Sequence, residues 1–110
     1  MPDKKRTSAD KRTKRVRDCS QSDEFIKDWE RLDCSGKHDM HRLKEAMLLL
    51  VANDAPLPPE WKDHSLSGQF KKYRECHVKG DLLLIYEIRA KHDEEAIVFA
   101  RAGTHSELFK

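Results

Sequence analysis

Apolar residues recur with helical period twice in the first half of the chain and with strand period in the second. Phe25, Trp29 and Leu32 are spaced by four and three residues, which puts them on one face of a helix. Ser22-Asp23-Glu24 ahead of them offers a capping oxygen and acidic first-turn residues, which complement the free N–H groups at a helix start. Ser35-Gly36 closes that helix. From Asp39 the apolar positions Met40, Leu43, Met47, Leu50 and Val51 repeat the pattern, with Lys44 and Glu45 on the wet side. Asn53-Asp54-Ala55-Pro56 stops the second helix, and Pro58-Pro59 bars a regular continuation. Two antiparallel helices joined by a short loop are predicted.

Beyond the prolines the period changes to two. Over residues 73–78, Cys76 and Val78 fall on one face and Glu75 and His77 on the other. Gly80-Asp81 turns the chain. Residues 82–88 form an almost continuous apolar run, suited to a central strand. Residues 91–95 read as a charged hairpin tip and 96–101 as the next strand. Gly103 is expected to break that strand, leaving 106–109 room for one helical turn. Residues 14–19, with only Val16 and Cys19 apolar, are assigned to a first strand. The order β-α-α-β-β-β predicts an α+β fold: a two-helix hairpin packed on one face of a small antiparallel sheet.

A chain of 110 residues can bury one modest core. Only 37% of residues are hydrophobic and 38% are charged, but the apolar ones cluster at 43–51, 82–88 and 97–99, so a folded core is expected rather than disorder. No apolar run reaches membrane-spanning length and Met1 is followed by charge, which makes the cytoplasm the expected compartment. Cys19, Cys34 and Cys76 are odd in number and far apart, which fits neither a disulfide framework nor a zinc site. Cys76 and His77 are neighbours on a strand and so point to opposite faces, which argues against a thiol–imidazole pair. The formal net charge is +2, yet Lys4, Lys5, Arg6, Lys11, Arg12, Lys14, Arg15 and Arg17 face only Asp3 and Asp10. Residues 1–13 therefore read as a flexible basic arm, able to neutralise RNA phosphates, ahead of a domain over 14–110.

The candidate chemistry lies in the second half. His64, His77 and His105 accompany Asp81, Arg101 and Phe109, and no metal-ligand spacing or phosphate loop competes for them. Cleaving RNA without a metal needs a base for the 2′-hydroxyl, an acid for the departing 5′-oxygen and a cation for the phosphorus centre. Histidine serves as acid or base near neutral pH, and the guanidinium fork matches phosphate oxygens. His105, just past the last strand, is the candidate acid and Arg101 the phosphate clamp. His64, His77 and Asp81 are each candidates for the base, and Phe109 could stack on a nucleobase. Simpler readings stand beside these. Each histidine alone reads as a surface residue, as do His38, His41 and His92. Asp81 is a good turn former, Phe109 a C-terminal anchor, and Arg101 a partner for Glu75 or Glu107.

Four separated segments sharpen this reading: Lys62-Asp63-His64 with Leu66 and Gly68; Tyr73 to Val78; Asp81 to Tyr86; and Arg101-Ala102-Gly103-Thr104-His105-Ser106-Glu107-Leu108-Phe109. In this order they resemble the YafQ-type branch of the RelE/ParE toxins of bacterial type II toxin–antitoxin modules, and the helical hairpin agrees in length and position. The resemblance implies a ribosome-dependent mRNA endonuclease restrained by a cognate antitoxin, and the acid–base chemistry read from the residues calls for no cofactor. The resemblance also implies roles in catalysis or mRNA contact for His64, His77, Asp81, Arg101, His105 and Phe109, with Glu75 where the family often has an acidic residue. Ala102 departs from the family's usual threonine, which is expected to loosen the link that aims His105. A ParE-like gyrase inhibitor shares the fold class but does not need this histidine set. A non-catalytic RNA- or ribosome-binding protein would also suit the basic arm.

Overall fold

The computed structural model describes residues 15–92 and 94–109; the basic arm expected over 1–13 lies outside them. Strand β1 (Asp18–Gln21) leads into helices α1 (Asp23–Ser35) and α2 (Met40–Ala52). A two-residue strand β2 (His64–Ser65) follows, then β3 (Tyr73–Lys79), β4 (Leu82–Lys91), β5 (Glu94–Thr104) and a terminal turn of helix, α3 (His105–Leu108).

The helices start and stop where their capping residues dictate. Ser22 Oγ accepts from the Phe25 N–H at 3.0 Å and Asp39 Oδ1 from the Arg42 N–H at 2.9 Å, satisfying donors that a helix start leaves free. Gly36 (φ 69°) and Asn53 (φ 58°) end the two helices in the left-handed conformation, which glycine adopts freely and asparagine tolerates. The predicted apolar stripes face the sheet. Phe25, Leu32, Leu43, Ala46 and Leu50 pack on Cys76, Val78, Leu82, Leu84, Tyr86, Ile97, Phe99 and Ala102. Trp61 also enters this core from a 3-10 turn at Pro59–Trp61, so one turn forms where the prolines forbid longer structure.

The sheet is mixed, in the order β1-β5-β4-β3-β2. The three long strands pair antiparallel as expected, while β1 runs parallel to β5 as an edge strand. In the chain the helical hairpin separates β1 from the other strands, so β1 reaches β5 through a long crossover, the connection a parallel pair needs. Strand β1 also begins later than the 14–19 assignment: Val16 lies before it, 59% exposed. Backbone pairing decides this strand, with all four of its residues exposed. The β4–β5 hairpin is longer than predicted, with both strands continuing to the tip at His92, where φ is 58°. No helix among the described residues is long and apolar enough to cross a membrane.

Candidate active site

The helices cover one face of the sheet, and the candidate residues line the other. Strand alternation sends Cys76, Leu84 and Tyr86 into the core, so Glu75, His77, Leu83 and Ile85 face away from it. The pairing His64↔Glu75, Glu75↔Ile85 and Ile85↔Arg101 makes one row across four strands, and His77↔Leu83↔Gly103 lies beside it.

Arg101 joins that row because of a bulge. Ile97 and Phe99 point into the core, and strict alternation would send Arg101 after them. The register instead shifts between Ile85 and Tyr86, with Tyr86 opposite Phe99 and Ile85 opposite Arg101. Ala100 is the extra residue, which turns Arg101 outward and Ala102 inward, the usual effect of a bulge on side-chain aim. The helix cap stabilises the distortion: Ser22 Oγ donates to the Ala100 carbonyl at 2.7 Å, and the Ser22 N–H donates to Phe99 at 3.0 Å.

Beyond the end of β1, helix α1 takes over the outer edge of β5. Asp28 is buried and its Oδ2 accepts the Ala102 N–H at 3.0 Å and Arg101 Nε at 2.8 Å. Its Oδ1 accepts Arg101 Nη2 at 3.2 Å and Arg31 Nη2 at 3.1 Å. Arg101 is thus partnered by Asp28, rather than by Glu75 or Glu107, and its hydrogen bonds to Asp28 hold its pKa above the ordinary arginine value. One side of the guanidinium is used in this way. The side chain is still 39% exposed, which leaves its other face open to a ligand.

At the β2–β3 edge, the buried Glu75 carboxylate sits between two imidazoles. Its Oε2 is 3.5 Å from His64 Nε2 and 3.7 Å from His77 Nε2, and the two ring centroids are 6.2 Å apart. The Lys62 carbonyl accepts from His64 Nδ1 at 2.8 Å, so the Glu75 contact becomes an ion pair once that ring carries both protons.

His105 opens α3 rather than a free link. Thr104 Oγ1 accepts the Glu107 N–H at 3.3 Å, while Glu107 Oε1 accepts the Thr104 N–H at 2.8 Å, a reciprocal capping box. The Thr104 N–H bond holds the Glu107 pKa below the ordinary glutamate value. Gly103 does not break β5, as the sequence predicts, but stays paired with Leu83. A Cβ there would lie 2.9 Å from Glu107 Oε1 and 3.2 Å from both Arg31 Nη2 and Leu108 Cδ2. Glycine is what lets the tail fold down on the strand. Ala102 is likewise a buried strand residue tied at both backbone groups, its N–H to Asp28 and its carbonyl to Arg31 at 3.3 Å, so the loosened link predicted from it is absent.

Phe109 is half-buried and outside the main core; its ring lies 5.1 Å from His105 and 6.0 Å, edge-on, from Phe70. Asp81 is exposed at the β3–β4 turn and makes no ion pair or hydrogen bond among the described residues. The candidate set therefore divides into an imidazole–carboxylate cluster, an anchored arginine and a capped tail carrying His105, with Ile85 between Glu75 and Arg101. Sequence reasoning overlooked Asp28 and Phe70. For Asp28 a signal exists, since it falls between Phe25 and Leu32 on the apolar stripe, and a charge on a buried stripe needs a partner.

The chain matches, over residues 17–110, the family model described as the bacterial toxin of type II toxin–antitoxin system, YafQ. It is 42% identical over 93 residues to the mRNA interferase toxin YafQ of Escherichia coli strain K12, covering 84% of this chain and 96% of that protein. Among solved structures, a chain of the E. coli DinJ–YafQ toxin–antitoxin complex superposes with a TM-score of 0.72 at 41% identity, covering 86% of this chain and 99% of that one. A metal-bound toxin from Helicobacter pylori superposes with a TM-score of 0.72 at 40% identity, over 84% of this chain and 98% of that one.

Proposed function

We propose, from the premise that this chain belongs to the YafQ family of type II toxins, that it is an mRNA interferase: an endoribonuclease that arrests growth by cutting messages and is neutralised by a cognate antitoxin. The single observation that carries the mechanism is the cross-sheet row His64–Glu75–Ile85–Arg101, with His105 on the tail that packs over Gly103 in the neighbouring row. A phosphodiester laid across Ile85 has imidazoles toward one side and a guanidinium toward the other.

In this reading the open face of Arg101 takes the non-bridging phosphate oxygens and stabilises the charge that grows on them. His105 donates a proton to the departing 5′-oxygen. His64, oriented by the Lys62 carbonyl, or His77 takes the proton from the 2′-hydroxyl, and the adjacent Glu75 carboxylate stabilises the imidazolium that results; the need for that hydroxyl restricts the reaction to RNA. Asp81, at the adjoining turn, meets the message. The acid–base chemistry needs no metal catalyst.

The message is cut on the ribosome, in the cytoplasm, where a domain of this size fits a confined site and a bound antitoxin would obstruct entry. Residues 1–13, ahead of the domain, add cationic charge that suits ribosomal RNA. Expression of this chain alone is expected to arrest growth, with new 5′ ends in translated messages, and co-expression of the antitoxin to restore growth. Harmless accumulation of folded protein without a partner would favour a non-catalytic RNA binder. Arrest accompanied by gyrase inhibition and intact messages would point to the ParE-like activity.

A further inference from the structure

Beside Arg101 the outer face opens into a cleft of about 380 Å³, walled by Leu66, Phe70, Tyr73 and Phe109, with Glu24 and Arg101 at its rim. Phe70 is 41% exposed and meets Phe109 edge to face, with centroids 6.0 Å apart. Ile85 lies in the cleft lining, the same residue that separates Glu75 from Arg101 in the catalytic row. The cleft is therefore continuous with the place where a phosphodiester would lie.

Its rim is chemically uneven. The Ser22 hydroxyl is committed to the Ala100 carbonyl. The Glu24 side chain makes no hydrogen bond or ion pair among the described residues and feels Arg101 only at a distance. An ionised carboxylate can only accept hydrogen bonds, and near a phosphodiester it repels unless the ligand supplies donors.

We propose that this cleft is a nucleobase subsite: Phe70 and Phe109 hold the base of a nucleotide flanking the cut, and Glu24 reads its amino donors. The inference rests on the nuclease reading and deepens it. Aromatic walls accept any base, because every base has a π-face. Discrimination then falls to Glu24. Guanine places an N1–H and an amino group side by side, two donors for two carboxylate oxygens. Adenine and cytosine each offer one amino group, as in carboxylate contacts to cytosine. Uracil offers a single N–H between two carbonyl oxygens, which a carboxylate repels. The subsite should favour guanine, accept adenine and cytosine, and reject uracil, with repulsion supplying much of the specificity.

The test uses the full chain on translating ribosomes loaded with mRNAs that differ at one nucleotide flanking the cut, each flank varied in turn through all four bases. At one flank, guanine is expected to be cut faster than uracil by about tenfold. Glu24→Ala should flatten that preference to about twofold while leaving thermal unfolding in place. Phe70→Ala should slow cutting at every base, by about 5- to 100-fold, and Phe70→Trp should restore it. Equal cutting of all four bases by the wild type, an unchanged preference in Glu24→Ala, or full activity in Phe70→Ala would each overturn the subsite. Failure of the wild type to cut any of the messages would instead remove the nuclease reading, and the subsite with it.

Discussion

Arg101 and Asp28 stand 73 residues apart in the chain, yet Arg101 Nε donates to Asp28 Oδ2 at 2.8 Å, and that same oxygen takes the Ala102 N–H at 3.0 Å. One buried carboxylate thus holds both the proposed phosphate clamp and the edge of the strand that carries it.

Asp28→Ala should therefore lower stability and cleavage together. It leaves the buried Ala102 N–H without its partner, a loss on the order of 1–3 kcal/mol, and frees Arg101 from its orientation. Urea unfolding and a cleavage assay on the same protein check this. If activity falls no further in the Asp28→Ala/Arg101→Ala double variant than in Arg101→Ala alone, Asp28 acts through Arg101. Independent, multiplying losses would show a purely structural role.

His105→Ala should do the opposite, sparing stability and removing turnover. The residue is exposed on the tail, so little packing is lost, while general acid–base catalysis is worth on the order of 10²–10⁴-fold. Ribosome binding should survive. Growth arrest at wild-type potency would take His105 out of the mechanism.

Gly103→Ala tests how the tail is aimed. The added Cβ meets side-chain ends at 2.9 and 3.2 Å, groups that can move, so the tail should shift while the strand stays paired. A displacement of about 1 Å at a catalytic group costs up to about 10²-fold in rate. Activity is expected to drop with only a small change in melting temperature, and unaltered activity would show that the tail position does not matter.

The capping box gives the tail a pH dependence of known sign. The folded pKa of Glu107 is depressed below its ordinary value of 4.5, chiefly by the Thr104 N–H. Its contribution is therefore present above the ordinary value and is lost as pH falls through the folded one. The Thr104 amide resonance should report loosening of the tail below about pH 4.5. Glu107→Gln, which keeps the acceptor without the charge, should remove that dependence. A transition persisting unchanged in this variant would assign it to another group.

Thiol labelling checks the core. Cys19 and Cys34 are exposed, while burial pushes the Cys76 thiol up to about 12, so it holds almost no thiolate at neutral pH. Native protein should take up an alkylating reagent at two cysteines, with Cys76 reacting only on unfolding. Rapid native labelling at Cys76, seen by peptide mass spectrometry, would contradict the packing of β3 on the helices.

Local rules made much of this molecule legible from its residues. Caps at Ser22, Gly36, Asp39 and Asn53 delimit the helices to within a residue, because the donors and acceptors they satisfy lie within one turn. Alternation placed Glu75 and His77 opposite Cys76 and Val78, because side-chain direction along a strand depends only on neighbours. Residue chemistry singled out the candidate site residues, and the motif resemblance sharpened the choice. Tertiary structure alone decided the remainder, since each such feature joins positions remote in sequence. Residues 14–19 are assigned a strand, but their sparse apolar pattern fixes neither its start at Asp18 nor that it pairs parallel with β5. The Ala100 bulge, which turns Arg101 out of the core, depends on Ser22 in another element. Gly103 reads as a strand breaker until the tail lies over it. The helical period puts Asp28 on the buried stripe, but no local period names Arg101 as its partner or Phe70 as that of Phe109, because these pairs meet only once the helices and the tail have packed against the finished sheet.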